Sequence, residues 1–199
     1  MFSTVKSYLL FFLFLAVVTS GCSVTPEAVY YTLSSSQVAS PEEIVSLPQS
    51  LAIGIGPVKF PGELDRPSIV TRSGNNRLII NEFHRWGGSL EKNFLHLMAD
   101  NLTHLLKTSQ VMVRPWENYF QPDVRIVLDI HQFDGRLGES ASLKVTWVIY
   151  REGAEKGAVV YQSSLNEQVA EDGYDALVAA QSRLVFRFSK DIAKVLVAI

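Results

Sequence analysis

The sequence predicts an α/β domain in which two amphipathic helices are layered on mixed and antiparallel strands. Three observations predict it. Leu90, Phe94, Leu97, Met98, Leu102 and Leu105 recur at three- and four-residue spacing, and Leu177, Leu184, Phe188, Ile192 and Val195 fall on one helical stripe near the end. That is the period of a helix with one apolar stripe. Between them, Val124, Ile126, Leu128 and Ile130 alternate with Arg125, Asp129 and His131, and Leu143, Val145, Trp147 and Ile149 repeat the pattern. A period of two marks a strand with one buried face. Hydrophobic residues make up 47% and charged residues 19% of the 199, a globular balance. Helices and strands so interspersed imply a layered domain.

The elements follow in order. Tyr30 to Leu33 reads as a short first strand, and Ser34 to Ser50, with Pro41-Glu42-Glu43, as a loop that can be partly helical. Leu51, Ile53 and Ile55 alternate with Ala52, Gly54 and Gly56, giving a strand bracketed by Pro57 and Pro61-Gly62. Ile69–Thr71 and Leu78–Ile80 flank Ser73-Gly74-Asn75-Asn76, which is hairpin chemistry. The first helix runs from Leu90 to Lys107, with Ser89 as its N-cap and Glu91 at the positive end of its dipole. Val111 to Arg114 is a strand stopped by Pro115. The Val124 and Leu143 strands, joined by Gly135 to Ser140, continue into a strand at Val159–Val169 as an antiparallel meander. Asp175 to Val197 is the last helix.

The amino-terminal segment is of another kind. Lys6 precedes an apolar run from Tyr8 to Val18, and Thr19-Ser20-Gly21-Cys22 follows. This is the order of a secretory signal, residues 1–21. Its ending resembles a bacterial lipobox, with Thr19 where Leu is usual. That reading puts a diacylglyceryl group on Cys22, the only cysteine. A membrane span and a structural thiol are the other readings. The apolar run has about half of the ~20 residues a span needs, and a lone cysteine has no disulfide partner. Ser23 follows, where an Asp would resemble an inner-membrane retention signal. Residues 22–29 then form a lipidated tether and residues 30–199 the folded domain. The expected location is the inner leaflet of a bacterial outer membrane, facing the periplasm.

From Cys22 onward the chain has about 178 residues, enough for one domain with a sizeable core. Loss of Lys6 takes the net charge from −2 to about −3, which leaves no basic excess to meet nucleic acid or anionic lipid headgroups. No catalytic constellation forms. Gly54-Ile55-Gly56 begins like a dinucleotide fingerprint, but Lys59 holds the third glycine position and Pro61-Gly62 follows instead of a helix. Gly138-Glu139-Ser140-Ala141-Ser142 fails as a nucleophile elbow at its last residue. His96 and His104 are eight apart, too far for a metal pair on one helix. Asp129 faces outward by alternation and Asp134 falls near a strand end, so they do not form an acid–base pair. Asn101-Leu102-Thr103 matches a glycosylation sequon but falls inside a helix.

Four segments together resemble the ABC-type transport auxiliary lipoprotein family, which includes the lipoprotein of the paraquat-inducible intermembrane transport system. They are Tyr30-Tyr31-Thr32-Leu33; Ile53-Gly54-Ile55-Gly56-Pro57-Val58 through Leu64-Asp65-Arg66-Pro67 to Ile69-Val70-Thr71-Arg72; Arg85-Trp86 with Asn101-Leu102; and Pro115-Trp116, Phe133-Asp134 and Trp147. Their order spans nearly the whole mature chain, and Leu-Asp-Arg-Pro is the most specific piece. Gly87-Gly88 departs from the more polar, partly acidic pair usual there. The resemblance implies an anticodon-binding-domain-like sandwich, no enzymatic activity and no cofactor beyond the lipid on Cys22. It implies work beside an inner-membrane transporter and a periplasmic MCE-domain protein that move hydrophobic molecules between membranes.

The candidate partner surface is the loop Gly62–Pro67, with Leu64, Asp65, Arg66 and Pro67, together with Arg72, Arg85 and Trp86. Exposed Trp and Arg are favoured at interface hot spots. The competing reading pairs Asp65 with Arg66 to fix the loop and uses Trp86 to cap the core. The tail Val195–Ile199 is either a contact of a homo-oligomer or partner, or a helix end packed on the sheet. Two other functions stay open: a lipid chaperone with an acyl pocket lined by Phe94, Trp147 and Phe188, and a purely structural envelope lipoprotein.

Overall fold

The computed structural model describes residues 26–35, 39–44, 51–151, 153 and 158–198. Cys22, the signal segment and Ile199 lie outside the described residues. The elements are β1 (Val29–Tyr31), β2 (Ile53–Lys59), β3 (Ser68–Ser73), β4 (Arg77–Trp86), α1 (Leu90–Leu106), β5 (Val111–Val113), β6 (Val124–Arg136), β7 (Ser140–Arg151), β8 (Ala158–Gln168) and α2 (Tyr174–Ala198). A 3-10 turn covers Gly62–Leu64. The first strand is thus Val29–Tyr31 rather than Tyr30–Leu33, and the β6–β7 turn is tighter than Gly135–Ser140.

The strands form two mixed sheets. The larger has the order β5-β2-β6-β7-β8, and the smaller β1-β4-β3. β6, β7 and β8 are the expected antiparallel meander. β2 runs parallel to both β5 and β6, and β1 parallel to β4. α1 packs on β2 and β5, α2 on β6, β7 and β8, and the two helices touch each other.

Sequence chemistry accounts for the local choices. Ser89 accepts a hydrogen bond from Lys92 N at 3.4 Å, capping α1, and so satisfies one of the orphan amides of its first turn. The helix stops at Lys107, whose left-handed backbone (φ 47°) turns its N–H to Thr103 O. The two glycines of Gly54-Ile55-Gly56 are structural. A side chain at Gly54 would meet Trp116 and Pro122 at 3.0 Å, and Gly56 has φ +115° where the pairing of β2 with β6 shifts register.

A second irregularity decides where Asp134 goes. β6 pairs with β7 through Ile130↔Val145 and then Gln132↔Lys144, leaving His131 as an extra residue. Such a bulge reverses the alternation beyond it. Val124, Ile126, Leu128 and Ile130 are buried before the bulge, and Phe133 takes the inward position after it. Phe133 meets Phe94 edge-on with ring centroids 5.2 Å apart, and Phe60 at 6.4 Å. Trp147 stacks on Tyr161 at 4.4 Å and meets Phe188 edge-on at 5.8 Å. Phe94, Trp147 and Phe188 are all buried in this core. They fill the sheet–helix interface rather than line an acyl cavity.

Candidate functional site: a groove at the start of α1

The Gly62–Pro67 loop is held by backbone hydrogen bonds, among them Asp65 N to Gly62 O at 3.3 Å. Leu64 N donates to Pro61 O at 2.9 Å, closing the 3-10 turn, and Arg66 N donates back to Leu64 O at 2.9 Å. With Asp65 at φ −80° and ψ 66°, that last bond is an inverse γ-turn. Trp86 N then donates to Pro67 O at 2.7 Å, fastening the loop to the end of β4. Leu64 is buried under the loop, while Asp65, Arg66 and Pro67 are exposed.

Beside this loop lies a groove of about 400 Å³, bounded by Phe60, Leu64–Pro67, Trp86 and the first residues of α1, including Leu90 and Glu91. Its base is apolar, with Leu64, Trp86 and Leu90 buried. Its rim carries two carboxylates, Asp65 and Glu91, and one guanidinium, Arg66. Asp65 and Arg66 form no ion pair with each other among the described residues, so the turn is set by its backbone. Rigid backbone with unpaired rim charges suits capture of a partner.

The groove gathers Leu64, Asp65, Arg66, Pro67 and Trp86 but not the other two expected residues. Trp86 is only 4% exposed, so it supports the groove wall and is not a free surface tryptophan. Arg72 lies toward the other end of its hairpin, where its Nε donates to Asp134 Oδ2 at 2.7 Å. Asp134 is 2% exposed and lies near the end of β6, where it is a buried structural carboxylate. Arg85 precedes Trp86 and leaves β4 on the opposite face by alternation. Phe60, Leu90 and Glu91 were not anticipated at the site. Their adjacency in sequence to the loop and to the Ser89 cap is the only signal that could have found them.

Elsewhere the polar residues are structural. His84 stacks on Tyr174 (centroids 3.9 Å apart) and its Nδ1 lies 2.7 Å from the Tyr31 hydroxyl. Burial, then the charges of Asp175 and Tyr174, push the Tyr31 phenol up from its usual pKa. His96 and His104 are exposed on α1. Asn101 is buried, closing it to glycosylation in the folded chain. No group of three or more His, Cys, Asp or Glu among the described residues could hold a metal, and no helix among them is long and apolar enough to cross a membrane. Of the tail, Leu196 is buried and Val197 exposed.

The same fold occurs in solved structures. A crystal structure of an uncharacterized protein superposes with a TM-score of 0.70 at 17% identity, covering 86% of this chain and 99% of the other. The crystal structure of protein XCC0632 from Xanthomonas campestris gives 0.66 at 12% identity, covering 83% and 93%. No curated protein is a detectable sequence relative. The fold and groove thus define a single-domain α/β module. The family match is more specific: residues 31–193 match the ABC-type transport auxiliary lipoprotein component, and the chain belongs to that family. Its members are described as auxiliary lipoprotein components of ABC-type transport.

Proposed function

We propose that this protein is the lipid-anchored docking subunit of an intermembrane transport system. Acyl chains on Cys22 hold it in the inner leaflet of the outer membrane, and the domain faces the periplasm. Two or more acyl chains make a durable anchor, since each buried methylene contributes about 0.8 kcal/mol. The partner is a periplasmic MCE-domain protein working with an ABC-type transporter.

The observation that carries the reading is the groove beside the Gly62–Pro67 loop: an apolar base, rim charges with no ion-pair partner among the described residues, and a backbone fixed in advance. Capture needs neither nucleophile nor metal. Arg66 is the cation of the rim and has no ion-pair partner among the described residues, so it would pair with a carboxylate of the partner. Self-association belongs to the same reading, because β8 is the outer strand of its sheet and exposes Val159 and Val160. Strand edges of this kind accept a second chain.

The test is affinity for the purified MCE-domain protein. Arg66→Glu should weaken binding at least tenfold, because a charge reversal at a docked rim introduces repulsion. The melting temperature should not move, since Arg66 is exposed. Equal affinity for both versions would reject the loop as the contact.

A further inference from the structure

The outer face of the small sheet carries an amphipathic patch beside the tether. Tyr30 is 63% exposed and Phe83 39%. Tyr30 stands opposite Arg85 in the parallel β1–β4 register, so the two share a face, and exposed Phe83 lies two residues before Arg85, where the β3–β4 pairing shifts register. The opposite face of the same strands holds Tyr31 and Trp86, both buried. Arg85 makes no side-chain hydrogen bond or ion pair among the described residues. Glu82, the nearest acid on the strand, accepts from Ser68 Oγ at 3.0 Å.

The geometry points to the anchoring bilayer itself as the surface this patch rests on, with Tyr30 and Phe83 at headgroup level and Arg85 against lipid phosphate. This rests on lipidation of Cys22, the anchor of the function proposed above. Tyr30 follows Cys22 by eight residues, which reach roughly 25–30 Å at full extension, so the patch cannot leave the neighbourhood of the lipid surface. Aromatic side chains favour the membrane–water interface, and a planar guanidinium matches phosphate oxygens. The patch is too small to hold a soluble protein on a membrane. A tether changes that: it raises the local concentration of surface to the millimolar range, where a weak contact suffices to orient the domain. Trp86 and Arg85 leave β4 on opposite faces, so the contact turns the groove wall away from the lipid.

The experiment uses the full chain processed in its native host and reconstituted into vesicles of phosphatidylethanolamine and phosphatidylglycerol. Tyr30→Trp adds a reporter at an exposed position. Tyr150→Trp adds one on the large sheet, where Tyr150 is also exposed. The expected result is a blue-shifted Tyr30→Trp emission that brominated phospholipid quenches, with the Tyr150→Trp increment unquenched. Phe83→Ser combined with Arg85→Ser should reduce that quenching while acyl labelling and vesicle co-sedimentation persist. Acylated, sedimenting protein with an unquenched Tyr30→Trp reporter would overturn the patch and leave the anchor standing. Absence of acyl label, with Cys22→Ala as the reference, would overturn the anchor and this proposal with it. A blue shift that grows with protein density and ignores brominated lipid would give the patch to a second copy of the chain and overturn the membrane assignment.

Discussion

Arg72 on β3 and Asp134 on β6 join the two sheets through a 2.7 Å ion pair in which the carboxylate is 2% exposed and the guanidinium is a quarter exposed. Gln132 Nε2 donates to the other carboxylate oxygen at 2.7 Å. Arg72 Nη1 also donates to Asn75 O at 3.3 Å, and Arg136 reaches Asn75 Oδ1 at 3.1 Å. The β3–β4 turn is therefore tied to the far end of β6.

Removing one partner of a buried pair strands a charge. Arg72→Ala should destabilise the domain by about 3 kcal/mol, the lower end of the range for broken buried pairs because the guanidinium is part-solvated. Replacing both members together (Arg72→Met with Asp134→Leu) should cost less than Arg72→Ala alone. Urea unfolding of the parent and the two variants checks this. A single-variant loss below about 1 kcal/mol would show the pair to be as weak as an exposed one.

Gly135 and Gly62 separate packing from site. A Cβ at Gly135 would lie 2.5 Å from Ser140 O and 2.6 Å from Leu177 Cδ1, whereas one at Gly62 meets nothing within 4 Å. Gly135→Ala should cost about 1–3 kcal/mol through forced backbone displacement. Gly62→Ala should stay within about 0.5 kcal/mol. Thermal unfolding of both variants reads the contrast, and equal melting temperatures would contradict the packing of β6 on α2.

Much of this fold was legible in local period. The spacing of Leu90 to Leu105 predicts a helix that the structure bounds at Leu90–Leu106, and Ser89 caps it as its chemistry predicts. The β3–β4 hairpin and the β6–β7–β8 meander follow from alternation and turn residues. What alternation does not carry is the bulge at His131. It shifts the period by one and lets Phe133 and Asp134 both be buried, on opposite faces. Nor does local pattern show parallel pairing across long separations. β1 pairs Tyr31 beside Trp86 from 55 positions away, and Trp86, an aromatic that reads as an interface residue, is core. The same limit separates Arg72 from the groove: its partner lies on a strand of the other sheet. Leu64, Asp65, Arg66 and Pro67 come together because they are neighbours in sequence.

Acid sensitivity should concentrate at Glu167. Burial opposes its ionisation, but hydrogen bonds from Arg183 (2.8 Å) and Arg187 (3.0 Å), with their charges, outweigh that and hold its pKa below the usual value. A carboxylate whose folded pKa is depressed gives stability that is present above its unfolded pKa of about 4.3. That stability is lost as pH falls through the folded value. Glu167→Gln should therefore be less stable than the parent at pH 7, with the gap closing below about pH 4. Urea midpoints across that window measure it; a gap that widens on acidification would have the wrong sign.

The central claim is that the groove captures a transport partner, and the most direct measurement is photo-crosslinking from inside the living envelope. A photoreactive phenylalanine analogue replaces Asp65 in the full chain in its native host, and the adduct is identified by mass spectrometry. The account predicts an MCE-domain protein joined at this position, with the adduct lost when Arg66→Glu is added. Adducts only with copies of the chain and with general envelope proteins, from a protein that is still acylated and folded, would contradict it.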